Sequence, residues 1–311
     1  MRKVYVNLTG GLGNQLFQLN AGLKIAKGKK VILVSDFSSP RFSISGIPEI
    51  ENFYMPQNVK VKKAAKTSYV QRKAIGYTLR SSLSPRGLES FRIYKFLVQI
   101  LTSIISSLHL RDLVRVQTDL DSFPRILTFS PYLVGYFQRA TDILEPDNIN
   151  QMKSLRLNDY NLEKTAHKEK NYQILIIHIR RGDYRQENAF GILGNKYYKD
   201  AIRELFELQN FHEVWFFSDE VISVEEFLPS DLKVITKFFA PNEYSAAQSL
   251  ELMRHGTAYI IANSTLSWWG AVMSYSSEPL VVAPEPWFKA KDIKDSLFFT
   301  NWLKRPGFHD A

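Results

Sequence analysis

Short, wholly apolar runs separated by helical patterns constrain the fold of this chain more than any other feature. The C-terminal half carries Ile174–Ile179, Val214–Phe217, Ala258–Ile261 and Leu280–Ala283. Between them Tyr197–Leu208, Ala246–Met253 and Ser267–Met273 repeat apolar residues at helical spacing. A strand that is apolar on both faces must be covered on both, and helices between strands supply the cover. The alternation therefore predicts an α/β fold built on a doubly wound parallel sheet. The N-terminal segment 4–26 adds a strand, a glycine turn and a helix, with Leu16, Leu19, Leu23 and Ala26 on one face.

At 311 residues the chain exceeds the size at which one hydrophobic core stops growing, so two domains are expected. The polar stretch NDYNLEKTAHKEKN, residues 158–171, is the best candidate linker. It sets an N-terminal domain at 1–160 and a C-terminal domain at 161–311. The chain has no cysteine, which excludes a disulfide framework and any cysteine-based zinc site. Its N-terminus enters a strand at once and shows no apolar signal core, so a cytoplasmic location is expected.

The net charge of +9 is concentrated rather than spread. Residues 60–95 hold ten Lys or Arg against Glu89 alone, and the rest of the chain is balanced. The next segment, FLVQILTSIISSLHL at 96–110, has no charged residue but is shorter than the about 20 residues a spanning helix requires. A basic segment beside such a helix suggests peripheral docking on an anionic membrane face; the bland alternative is a core helix preceded by a solvated basic loop. Nucleic acid is a poor partner, because the cluster lacks base-stacking and recognition motifs.

Two motifs lie at strand ends, where open α/β sheets bind ligands. HIRRGDY, residues 178–184, closes the Ile174–Ile179 run. Alternation places His178 and Arg180 on one face and Ile177 and Ile179 on the other. Arginine offers a fixed fork of donors and a permanent charge, so the segment suits a diphosphate held without a metal. NSTLSWWGAV, residues 263–272, follows Ala258–Ala262; its hydroxyls and the free N–H groups of a helix N-terminus suit an anion. A third motif, GGLGNQLFQ at 10–18, imitates a dinucleotide fingerprint completed by Asp36. Leu16, however, occupies the position where close helix–strand packing asks for glycine. Asp119 and Asp121 have the D-x-D form of a metal-holding transferase; without the rest of that fold they read as a surface turn.

GGLGNQLFQ (10–18), GYFQ (135–138), HIRRGDY (178–184), FSDE (217–220) and NSTLSWWGAV (263–272), in this order, resemble the alpha-1,2-fucosyltransferases of glycosyltransferase family 11. The resemblance covers roughly residues 1–36 and 130–290; none of the motifs falls in 37–130, where acceptor choice is expected to reside. It implies two Rossmann-like domains facing a cleft, the GT-B type. The implied reaction is inverting transfer of L-fucose from GDP-fucose, without metal or other cofactor, to O2 of a galactose-containing glycan.

Carried over residue by residue, it assigns Arg180 to the β-phosphate and Asp219 to guanine. His178 either contacts the nucleoside or orients Arg180; Arg181 either binds from the turn or braces Asp183. Ser264, Thr265 and Ser267 complete a phosphate cradle. Gly11, Gly13 and Asn14 approach the donor or acceptor from the other domain. Asp183 is the nearest carboxylate for a general base, or is structural. Two other readings are a nicotinamide oxidoreductase resting on Gly11, Gly13 and Asp36, and a non-catalytic carbohydrate-binding protein resting on 13% aromatic residues.

Overall fold

The computed structural model of the chain describes residues 3–35, 48–63, 114–116, 132–140, 146–159, 162, 172–186, 189–241, 243–290 and 297–308. Asp36, Lys66, the apolar run 96–110, Asp119 and Asp121 lie outside these residues. The chain divides into two compact units, Met1–Asn148 and Ile149–Ala311.

In the N-terminal unit β1 (Lys3–Leu8), β2 (Lys30–Ser35), β3 (Val59–Lys63), β4 (Val114–Val116) and β5 (Tyr132–Val134) pair in parallel, in the order β3-β2-β1-β5-β4. The central strand β1 is flanked on both edges and is buried at four of its six positions, Val4, Val6, Asn7 and Leu8. Among the described residues β3 lies at an edge, and there Lys60 and Lys62 are exposed while Val59 is buried. The first lysines of the basic segment are thus the charged positions of an edge strand, a common guard against edge-to-edge pairing.

Helix α1 (Leu12–Ala26) packs along β1 and β2 and is buried on nearly every side. Close packing does use a glycine, but not at position 16. A Cβ at Gly22 would come within 2.8 Å of Val6 and 2.9 Å of Val31, so the contact is made further along the helix, while Leu16 fills the core.

After α2 (Pro146–Lys153), the C-terminal unit forms a six-stranded sheet among the described residues. Its members are β6 (Ile174–Ile179), β7 (Glu213–Ser218), β8 (Ile235–Phe239), β9 (Ala258–Ile260), β10 (Leu280–Glu285) and β11 (Leu303–Pro306). The order β8-β7-β6-β9-β10-β11 is parallel throughout. Numbered within the unit, this is the 3-2-1-4-5-6 arrangement of the Rossmann fold. α3 (Asn195–Leu208) buries Tyr197, Tyr198, Ala201, Ile202 and Leu205 against Leu175, Ile177 and Ile179. α4 (Ala246–Met253) begins with a capping box between Ser245 and Gln248. α5 (Thr265–Val272) carries Trp268 and Trp269, both fully buried. Trp268 donates to the Leu297 carbonyl at 2.6 Å and packs on Phe299 and Trp302, which fixes the C-terminal segment to the helix.

The division falls ahead of the polar 158–171 stretch because residues just after it already belong to the C-terminal core. Arg254, fully buried, donates to the carbonyls of Lys153, Leu155 and Met273 and to Glu251. A buried guanidinium is tolerated only when its donors are occupied, so this residue ties 153–155 to α4.

Candidate active site

The switch point of the C-terminal sheet lies between β6 and β9, its first and fourth strands, and both motif segments emerge there. His178 sits on the β6 face opposite Ile177 and Ile179, 4% exposed, with Nδ1 unpartnered. Burial, reinforced by Arg180 and opposed by Asp219, pushes its pKa down to about 3. The ring is therefore neutral near pH 7.

Arg180 is held by two carboxylates: Nη2 donates to Asp183 at 2.7 Å and Nη1 lies 3.1 Å from Asp219. Its guanidinium also sits over the Tyr184 ring, 5.3 Å from the centroid. Asp183 thus pairs with Arg180, and does not brace Arg181. Arg181 turns away: its backbone N–H donates to Asp219 at 2.9 Å, and its side chain donates to Asn195 at 2.9 Å and lies over Phe227. These contacts anchor it inside the unit.

Asp219 therefore gathers the turn through both oxygens, and reading a base as well would use their second lone pairs. Its approach also explains Gly182, where an added Cβ would lie 2.6 Å from the Asp219 carboxylate. Asp183 opens a short 3₁₀ turn, Asp183–Arg185, that carries Tyr184 back across the site.

At the β9 end, Asn263 is the link between the motifs. Its carbonyl accepts from the Tyr184 hydroxyl at 3.1 Å, and its Nδ2 donates to Phe190 O at 2.9 Å. Its Oδ1 is buried without a partner. Ser264 caps α5, accepting weakly from Leu266 N–H at 3.4 Å. The Ser267 hydroxyl is buried and donates to Ser264 O, so it closes the first helical turn. Thr265 alone of the three is partly exposed. Tyr184, Asn195 and Asn263 were not singled out as site residues by sequence reading; the signal for Tyr184 and Asn263 was their place at the edges of the two motifs.

Gly11, Gly13 and Asn14 lie in the N-terminal unit. Gly10 there has a φ of +73°, and a Cβ on it would meet Asn14 Nδ2 at 2.5 Å. The motifs at 10–18 and 135–138 are joined by side-chain amides. Gln138 donates to Asn14 Oδ1 at 2.8 Å; Gln18 donates to Gly135 O at 3.0 Å and accepts from Thr9 N–H at 3.0 Å. Gln15 spans Gly10 O and Ile50 N–H in the same manner. Phe137, at φ +55°, is a non-glycine residue in the left-handed region, held there within this motif.

The family model of glycosyl transferase family 11 matches residues 3–305. The O-antigen biosynthesis glycosyltransferase WbnK of Escherichia coli is 28% identical over 313 residues, 96% of this chain and 99% of that protein. An alpha-1,2-colitosyltransferase of Escherichia coli is 30% identical over 171 residues, 52% of this chain and 54% of its own. Among solved structures, NodZ alpha-1,6-fucosyltransferase soaked with GDP-fucose has a TM-score of 0.53 at 11% identity, over 92% of this chain and 95% of that one. That last likeness is one of fold.

Proposed function

The chain belongs to glycosyl transferase family 11, and from that membership we propose that it transfers L-fucose from GDP-fucose to O2 of a galactoside, with inversion and without a metal. The observation that carries the donor reading is Arg180, a fixed cation at the carboxyl end of β6 on the switch point. There it neutralises the departing diphosphate as the C1–O bond breaks and positive charge spreads over the sugar ring. His178, neutral beside it, adds a polar contact without competing charge. The acceptor hydroxyl attacks from the ring face opposite the diphosphate, so its proton leaves on that face. Asp183 stands on the phosphate side, bound to Arg180 at 2.7 Å, and its role is to hold that arginine.

The relative named as an alpha-1,2-colitosyltransferase supports the 1,2 linkage and also favours a second reading, colitosyl transfer. The nicotinamide and lectin readings leave the arginine turn without a purpose.

The test is direct. Isothermal titration should show GDP binding well above ADP and UDP, and incubation of GDP-fucose or GDP-colitose with galactosides should yield an α-1,2 product by NMR. ADP binding as tight as GDP would remove the guanine reading. For Asp219→Asn, the two engaged oxygens predict that GDP, ADP and pyrophosphate weaken together; a loss confined to GDP would assign the carboxylate to the base.

A further inference from the structure

Tyr184 closes a ring of contacts across the switch point. Its hydroxyl donates to Asn263 O at 3.1 Å, Asn263 Nδ2 donates to Phe190 O at 2.9 Å, and Phe190 stacks back on Tyr184 at 4.8 Å between centroids, 18° from parallel. Phe288, just past β10, lies against Phe190 at 5.7 Å. The aromatic ring is thereby fixed by groups from the ends of β6, β9 and β10. The cation held over it is Arg180.

We propose that Tyr184 is a positioning residue for Arg180, fixing the guanidinium over its ring so that the donor fork meets a diphosphate in one plane. The inference rests on the reading that Arg180 binds the donor diphosphate. A long arginine side chain loses rotamer freedom when it binds, and one already held loses less, so the same contacts yield more affinity. The carboxylates of Asp183 and Asp219 hold the ends of the guanidinium, and the Tyr184 ring lies against its centre. Burial pushes the Tyr184 phenol up to about 12, so the hydroxyl remains a donor to Asn263 throughout the working range.

The test is a cycle of GDP dissociation constants by isothermal titration for wild type, Tyr184→Leu, Arg180→Lys and the double variant. Loss of a cation–aromatic contact predicts that Tyr184→Leu weakens GDP by about 3- to 30-fold. The same change should cost less than about twofold in the Arg180→Lys background, since its effect passes through the fork. Tyr184→Phe keeps the ring and should bind GDP several-fold more tightly than Tyr184→Leu. It also guards against an unfolded leucine variant. Equal losses in both backgrounds, with wild-type binding intact, would overturn the positioning role alone. A wild-type protein that binds no GDP would overturn the nucleotide reading and this proposal with it.

Discussion

At the scale of single residues, the site is a balance of charges rather than a bare arginine. Arg180 faces Asp183, with 63% of that side chain exposed, and Asp219, with 20% exposed. Exposed pairs of this kind are weak, so Asp183→Asn should weaken GDP by up to about fivefold, with kcat within about tenfold of wild type. A fall in kcat of about 10²–10⁴ with GDP binding intact would instead make Asp183 the general base. His178 gives a pH dependence of known sign. Its folded pKa of about 3 lies below the ordinary 6.5. As pH falls, the unfolded chain takes up the proton first. The stability is therefore complete above about pH 6.5 and is lost from there toward pH 3, at up to about 1.4 kcal/mol per pH unit. Thermal melts of His178→Gln should show a flatter decline over that window; an unchanged slope would place the titration elsewhere.

Among the elements, those legible in the sequence were the ones buried on both faces. β6 and β7 are buried at every position, and their apolar runs announced them. β8 and β11 were missed for the opposite reason. They are the outer strands of the sheet, Ile235 and Thr236 are exposed, and Leu303–Pro306 alternates partly buried with exposed positions. An edge strand needs no continuous apolar run. The site was legible to the same degree. Strand ends located Arg180 and the segment 263–272, but the partners of Asp183 and Arg181 follow from how the 3₁₀ turn folds back, which residue order alone does not specify. Side-chain amides in α1 were visible only as residue types. Gln18 satisfies two buried backbone groups, Thr9 N–H and Gly135 O. Gln18→Met keeps the volume and strands both, so chemical denaturation should show a loss of about 2–4 kcal/mol. A change below about 1 kcal/mol would mean that water replaces the amide.

For the whole molecule, each unit is built on a parallel sheet whose first strand is central, and the switch point of the second carries the fixed cation Arg180. If Arg180 neutralises the diphosphate, turnover should survive excess EDTA. Loss of nearly all turnover would return Asp119 and Asp121 to consideration as metal ligands. The buried Arg254 bears on a separate matter, the exchange of halves between related enzymes. A C-terminal half cut at residue 161 would remove the carbonyls of Lys153 and Leu155 and strand a guanidinium that no solvent reaches. The seam for recombination therefore lies before residue 149, and any hybrid that respects it inherits the arginine with its sockets intact.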